Sequence, residues 1–194
     1  MISKRSAVVA ALTITVAAAT AALNSNVAAQ ANSGVFIARL SDASGKRIGN
    51  VYFLPASGGR IQVSAVIRAG SGLTPGKRGF HVHVNGACTD STDASGATVK
   101  FGGAGGHFNP TSAAKHGGPD DHHDEAHAGD LPNLTINADG SGGVTYLTNK
   151  LSTAAGANSV RGRSVVVHAA EDDYRTQPIG GSGARVACGV IQNF

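Results

Sequence analysis

Most of the chain's histidines are spaced as metal ligands are. The sequence has 8 histidines among 194 residues, and six of them fall into short ordered motifs. Imidazole is the usual protein ligand of copper and zinc, and a carboxylate can complete a zinc set. Core packing explains this spacing poorly, and the pattern predicts two metal ions that share one ligand. The motifs lie at residues 79–83, 105–110, 115–119, 125–130 and 164–168.

The pair His81 and His83 has the spacing of two ligands on one strand. Alternate residues of a strand face the same side, so both imidazoles point one way and Val82 points the other. This arrangement supplies half of a copper site. Taken alone, such a pair is also typical of a solvated strand face. His168 lies at the end of an apolar run. Considered by itself, it is more typical of a hydrogen-bonded core histidine than of a metal ligand.

Four more candidate ligands, His107, His116, His127 and Asp130, lie within 24 residues of one loop. The stretch 86–132 that contains them is poor in apolar residues and rich in Gly, Asp, His and Ser. A structureless stretch of this length in a compact domain is either functional or disordered. A loop held by metal needs no core of its own and can wrap a tetrahedral zinc. A solvated polar loop would explain each residue singly, but not all four together.

Short apolar runs separated by glycine-rich turns position these motifs. Glycine accounts for 27 residues, about twice its usual share. Asp139 and Gly140 mark a hairpin turn. The sequence shows no amphipathic helix of three turns, and many short strands with such turns favour an antiparallel sandwich or barrel. The predicted strands are 35–39, 49–55, 60–69, 80–84, 134–136, 144–147, 163–168 and 184–190.

The first 29 residues have the pattern of an export signal. Lys4 and Arg5 precede an apolar run over 7–23, and small residues at 27–29 offer a cleavage site before Gln30. A second site would extend cleavage to residue 31. A membrane anchor is the alternative, but the run is short for a span and no second one follows. We therefore expect residues 30–194 to form one domain.

Charge and cysteine content bound the partners and the compartment. Loss of Lys4 and Arg5 lowers the formal net charge from +4 to +2, which is too weak to argue for nucleic acid or membrane binding. An exported chain enters an oxidising compartment, where two cysteines usually form a disulfide. We therefore expect Cys88 and Cys188 to pair. A closed loop of about 100 residues would be worth roughly 4–5 kcal/mol. The alternative is a pair of buried free thiols.

Taken in order, these motifs resemble those of the copper/zinc superoxide dismutase family. Gly-Phe-His-Val-His, Gly-His-Phe-Asn-Pro, Lys-His-Gly-Gly-Pro, His-Ala-Gly-Asp and Arg-Val-Ala-Cys-Gly-Val-Ile follow the family's order from about Val35 to Ile191. The segments 129–132 and 172–174 look more like the exported bacterial branch. The resemblance implies an all-β fold, an eight-stranded antiparallel Greek-key barrel with long metal-binding and electrostatic loops. It implies superoxide as substrate and the periplasm, or otherwise secretion, as location.

The resemblance also implies a role for each candidate residue. Asp172 would orient His81 and His116 from behind the metals, and Cys88 with Cys188 would form the family disulfide. Arg185 would guide the anion, and His107 would bridge the metals and give a proton to the departing peroxide. The copper ligands would be His81, His83, His107 and His168. The zinc ligands would be His107, His116, His127 and Asp130.

The stretch between His116 and His127 departs from the family through an apparent insertion over 120–125. It adds His122 and His123, which we expect to be solvated. The alternatives are an auxiliary site that captures metal, or replacement of His127 as a zinc ligand. Two other functions compete with the enzyme: a periplasmic metal buffer, and an adhesion or structural sandwich with vestigial loops. Exported relatives occur as single chains or dimers, so a homodimer is an open expectation.

Overall fold

The computed structural model describes residues 34–122 and 124–194, and within these ranges the chain is all β. Regular structure there comprises eleven strands and two 3-10 turns. None of the described helical turns is long and apolar enough to cross a membrane. The strands are β1 Phe36–Asp42, β2 Arg47–Pro55, β3 Ile61–Ile67, β4 Gly76–Arg78, β5 Phe80–His83, β6 Ser91–Thr92, β7 Thr98–Val99, β8 Leu134–Ile136, β9 Gly142–Thr148, β10 Ser164–His168 and β11 Arg185–Asn193.

All eight predicted strands are present, with ends that differ by a few residues. The short strands β4, β6 and β7 lie outside the predicted strands. Residues 76–78 carry no apolar alternation, and β6 and β7 form a two-residue ladder inside the polar middle of the chain. These elements are therefore set by their neighbours rather than by a pattern of their own. The predicted export signal, residues 1–29, lies outside the described residues.

Nine strands form one antiparallel sheet that nearly closes into a barrel. Their order is β4-β8-β9-β3-β2-β1-β11-β10-β5. The two edge strands, β4 and β5, are separated only by Gly79, so they act as one strand that serves both edges. Counted in this way the barrel has the eight strands predicted. The connection from β3 to β4 crosses two strands, β9 and β8, before β4 joins the sheet, which is a Greek-key type of connection. The predicted fold is confirmed.

Gly79 lies where three segments meet. Its N–H donates to Ala170 O at 2.7 Å, and its carbonyl accepts from the N–H of His168 at 2.8 Å. A Cβ at this position would lie 3.3 Å from that of His168 and 2.5 Å from that of Ser182. Only glycine lets the backbone come this close. The close approach brings the end of β10 beside the start of β5.

Alternation along β5 divides its side chains between two buried environments. Phe80 and Val82 join the barrel core, which also contains Val51 and Phe53. Burial of each such side chain contributes about 1.5–3 kcal/mol. The other face of β5 carries His81 and His83, both 0% exposed. The prediction that Val82 faces away from the histidine pair is confirmed.

The two cysteines are paired, as predicted. Cys88 in the loop after β5 is joined to Cys188 of β11, across 100 residues of sequence. Cys188 lies in a small apolar cluster with Phe101, Ala104 and Val166. The bond therefore ties the long loop to the strand that carries Arg185.

Replacement of both cysteines, Cys88→Ser with Cys188→Ser, is predicted to lower the free energy of unfolding by roughly 4–5 kcal/mol. Without the disulfide, the loop of about 100 residues is no longer closed in the unfolded chain, so the unfolded chain gains conformational entropy. Urea unfolding of metal-free protein measures the change, with reduced wild-type protein as the matched comparison. A loss below about 1 kcal/mol would contradict it.

Candidate metal centre

The predicted ligands gather in two clusters that share His107. In the part of the chain that the structure describes, the ligand atoms within each cluster all lie within 4.8 Å of one another. A further group joins His81 and His116 through Asp172. The four-histidine cluster contains His81, His83, His107 and His168, and the three-histidine cluster contains His107, His116 and His127 with Asp130.

Backbone pairing to β5 aligns the two loop segments with its histidines. The N–H of Phe108 donates to Val82 O at 2.8 Å, and the N–H of Val82 donates to Gly129 O at 2.9 Å. These bonds place His107 opposite His83 and Asp130 opposite His81. On the other side β10 pairs with β5 and ends at His168. Sheet geometry therefore directs all of these side chains to one place.

Each histidine of the four-histidine cluster, apart from His107, has its outer nitrogen held by an acceptor. Nδ1 of His83 donates to Gly105 O at 2.9 Å, and Nδ1 of His168 donates to Gly183 O at 3.1 Å. Nε2 of His81 lies 2.6 Å from Oδ2 of Asp172. These contacts fix the tautomer and turn the opposite nitrogen inward.

The inward nitrogens are buried and have no hydrogen-bond partner among residues 34–122 and 124–194. They are Nδ1 of His81 and Nε2 of His83, His107 and His168. A buried polar atom without a partner costs about 1–3 kcal/mol, so four together need an explanation. A metal ion in their midst supplies it, and four imidazoles are a donor set typical of copper.

The three-histidine cluster crowds around one carboxylate oxygen. Oδ1 of Asp130 lies 2.8 Å from Nδ1 of His107, 3.0 Å from Nδ1 of His116 and 3.4 Å from Nδ1 of His127. Only the contact to His107 has hydrogen-bond geometry. Oδ2 of Asp130 accepts from the N–H of Gly117 at 3.0 Å. Three nitrogens and one oxygen fit a tetrahedral zinc.

Asp172 connects the two clusters through its carboxylate. Its Oδ2 lies against Nε2 of His81, and its Oδ1 lies 2.9 Å from Nε2 of His116. Burial alone would raise the pKa of Asp172, but hydrogen bonds from His116 and His81 outweigh burial and lower it well below 3.8. Asp172 is therefore ionised, and one carboxylate orients a histidine of each cluster.

The two clusters differ in their affinity for protons. Burial lowers the pKa of His81 to about 3 and that of His168 to about 4. These rings are neutral at pH 7 and offer a lone pair without losing a proton. Burial acts the same way on His116, but its contacts with Asp130 and Asp172 outweigh it and raise the pKa of His116 to about 9. His116 therefore carries a second proton at pH 7 in the metal-free protein, and a metal ion bound at this ring would have to displace it.

Arg185 begins β11 and is half-buried beside the four-histidine cluster. Its Nη1 donates to Phe101 O at 2.8 Å and its Nη2 donates to Gly105 O at 2.6 Å. The same Gly105 carbonyl accepts the hydrogen bond of His83. One peptide oxygen thus fixes both a candidate ligand and the cation, which keeps the guanidinium at a set place relative to the cluster.

The histidines of the insertion have different surroundings. His122 has a side chain 67% exposed and pairs with Asp124, whose hydrogen bond raises the pKa of His122. It belongs to neither cluster, whereas His127 lies in the three-histidine cluster as predicted. His123 lies outside the described residues.

Sequence reasoning missed the side chains that hold the insertion loop. The hydroxyl of Tyr146 donates to Pro119 O at 2.8 Å, and Nζ of Lys150 donates to Gly118 O at 3.2 Å. Lys150 is only 3% exposed, which is unusual for a lysine. Neither residue belongs to a recognisable motif, so no local signal could have identified them.

Comparisons with known proteins agree with this geometry. The family model described as copper/zinc superoxide dismutase (SODC) matches residues 47–191. A copper/zinc superoxide dismutase of Deinococcus radiodurans is 44% identical over 156 residues, covering 80% of this chain and 82% of the relative. One of Brucella abortus is 38% identical over 156 residues, covering 79% and 83%.

A solved structure shows the same architecture. The copper/zinc superoxide dismutase from Brucella abortus superposes with a TM-score of 0.70 at 36% sequence identity. The match covers 81% of this chain and 99% of that structure.

Gly180→Ala is predicted to weaken metal binding by ~10-fold or more, because loss of a contact that orients ligands has effects of this size. A Cβ at Gly180 would overlap Oδ1 of Asp172 and lie 2.7 Å from Nε2 of His116. Gly181→Ala is the matched control, because φ is +69° at Gly180 and +63° at Gly181, but a Cβ at Gly181 meets nothing closer than 3.8 Å. Competition with a chelator measures both variants, and equal affinities would contradict the prediction.

The metal-free protein is predicted to lose stability as the pH falls below about 6.5. Folding lowers the pKa of His81 from 6.5 to about 3 and that of His168 to about 4. Below pH 6.5 these two histidines are therefore protonated in the unfolded chain but stay neutral in the folded protein. At pH 5 each imidazole lowers the free energy of unfolding by up to ~2 kcal/mol. Urea unfolding at pH 7 and pH 5 measures this, and an unchanged free energy would contradict it.

Proposed function

This chain belongs to the copper/zinc superoxide dismutase family, and we propose that the residues of the two clusters carry the family's reaction in it. The protein is an oxidoreductase that disproportionates superoxide to dioxygen and hydrogen peroxide. Two superoxide anions and two protons are consumed for each dioxygen and each peroxide formed. The protein therefore has to bind an anion, exchange an electron with it and deliver protons.

The four-histidine cluster would hold copper and the three-histidine cluster would hold zinc. Copper, when bound, supplies the electron exchange, since it alternates between two oxidation states and zinc does not. The four partnerless nitrogens support the first assignment, and the mixed nitrogen and oxygen donors of Asp130 and its neighbours support the second.

One observation carries the proposal: a single ring, His107, faces both clusters. Its Nδ1 lies 2.8 Å from Asp130, and its Nε2 is buried among the other histidines, without a partner in the part of the chain that the structure describes. A metal buffer needs no ligand common to two ions. A structural sandwich with vestigial loops would lack part of the donor set, and here all seven predicted ligands are brought together.

His107 is also placed to handle a proton. Its Nε2 is buried, and burial lowers the pKa of His107, so a proton that reaches this atom would be held weakly. Peroxide dianion is such a base, and a proton held at Nε2 can pass to it as from a general acid. Solvent supplies the second proton and replaces the one that His107 gives up. Nδ1, which faces Asp130 at 2.8 Å, would be held on that side of the ring while Nε2 exchanges its proton.

Arg185 would attract and orient the substrate. A fixed guanidinium beside the four-histidine cluster focuses a positive field on a small anion and can raise the association rate by ~10–1000-fold. Its two backbone hydrogen bonds hold it in place between turnovers. The disulfide supports the same loop, because Phe101 and Ala104 pack with Cys188.

The Cys88–Cys188 bond indicates an oxidising compartment. We propose the periplasm, with residues 1–29 as the export signal and 30–194 as the catalytic domain, on the support of the charged and apolar start of the chain. The homodimer remains a prediction, which sedimentation of the metal-loaded protein would measure.

A direct test compares superoxide consumption by protein loaded with copper and zinc, copper alone, zinc alone and no metal. The proposal predicts fast consumption only where copper is present. Spontaneous decay rates in all four preparations would overturn it.

Arg185→Glu is predicted to lower the consumption rate at low salt by ~10-fold or more, with metal content unchanged, because the focused field reverses sign. The difference from wild type should shrink at high salt as the field is screened. Arg68→Glu is the matched control, since Arg68 is exposed after β3 and the charge change is the same. Equal rates for the two variants would remove Arg185 from the mechanism.

A further inference from the structure

A glutamine outside both clusters holds the main chain of one histidine. Oε1 of Gln177 accepts from the N–H of His116 at 2.7 Å, and Nε2 of Gln177 donates to the carbonyl of His116 at 2.9 Å. The carboxamide thus pairs with His116 on both sides, as neighbouring strands pair in an antiparallel ladder. Nε2 also donates to Arg175 O at 3.1 Å, so the side-chain amide is fully engaged at that end.

This pairing replaces secondary structure where there is none. His116 is 1% exposed and lies in an irregular segment between β7 and β8, outside any strand. Buried backbone groups need partners, and a loop residue cannot obtain them from a sheet. Gln177 satisfies both backbone groups of His116 with one side chain.

The same short segment also holds the ring of His116. Asp172 contacts Nε2 of His116 at 2.9 Å, which turns Nδ1 towards Asp130 at 3.0 Å. With Gln177 on the backbone and Asp172 on the ring, two residues five positions apart fix the ligand at both ends. The direction of Nδ1 then follows from the conformation of segment 172–177.

We propose that Gln177 is a positioning residue for zinc, which aims Nδ1 of His116 through the backbone. The inference rests on the proposed function, in which His116 is a zinc ligand. It predicts a specific loss at the three-histidine cluster when the carboxamide is removed. If Gln177 only held the loop in place and had no role in metal binding, its replacement would affect only the stability of the metal-free fold.

Gln177→Met and Gln177→Glu remove the pairing in different ways. Methionine keeps the length of the side chain and loses both hydrogen bonds. Glutamate keeps an acceptor for the N–H of His116, but sets a carboxylate against the carbonyls of His116 and Arg175. Gln192→Glu is the matched control, because Gln192 is exposed on β11 and the change is the same.

Two measurements separate positioning from stability. Release of zinc to a coloured chelator should be ~10-fold faster in both Gln177 variants than in wild type and Gln192→Glu. Cobalt bound in place of zinc should show a shifted visible spectrum in the Gln177 variants, because the spectrum reports the geometry of its ligands. The urea midpoint of each metal-free protein is recorded alongside.

Wild-type release rates and an unshifted cobalt spectrum in both Gln177 variants would overturn the inference, even if their metal-free midpoints fell. That result would leave the proposed function intact, since wild type would still bind zinc and consume superoxide. Failure of wild-type protein to bind zinc would instead overturn the proposed function, and the role of Gln177 with it. If Gln177→Met does not fold, Gln177→Glu decides the question alone.

Discussion

One constraint organises this molecule: the buried ring of His107 must face two sets of donors at once. Its two nitrogens point in opposite directions, so the sets have to lie on opposite sides of the ring. The β5 strand, with His81 and His83, supplies one side, and the loop that ends at Asp130 supplies the other. Backbone bonds from Val82 to Phe108 and Gly129 bring the two sides into register. The barrel is the rigid body on which this register is built.

The cost of the arrangement explains its supports. Seven side chains, six of them buried and His127 partly exposed, would repel one another or lack partners in a metal-free fold. Asp172 offsets part of this cost by accepting from a ring of each cluster, and the carbonyls of Gly105 and Gly183 hold two more rings. The rings of the two clusters therefore differ in their protonation. The buried rings of His81 and His168 are neutral, whereas His116 between two carboxylates keeps its proton in the metal-free protein.

The sequence predicted most of this because ligand chemistry leaves strong local signals. His-x-His on a strand, histidines before Gly-Asp, and the apolar run to His168 each restrict the position of a ring, and the structure brings all seven candidates together. Supports that act through backbone atoms leave no such signal. Gln177, Lys150 and Tyr146 bind carbonyls and N–H groups, which every residue has, so no residue type at the partner position reveals them. Short strands such as β4 were missed for a related reason, since neighbouring strands rather than side-chain alternation define them.

The shared ring of His107 is tested most directly by paramagnetic resonance of protein that carries copper in one cluster and cobalt in the other. If one imidazole joins the two ions, their spins are coupled and the spectrum of isolated copper disappears. That loss is the predicted result, together with return of the isolated-copper signal when cobalt is replaced by zinc. A spectrum equal to the sum of independent copper and cobalt ions would contradict the account.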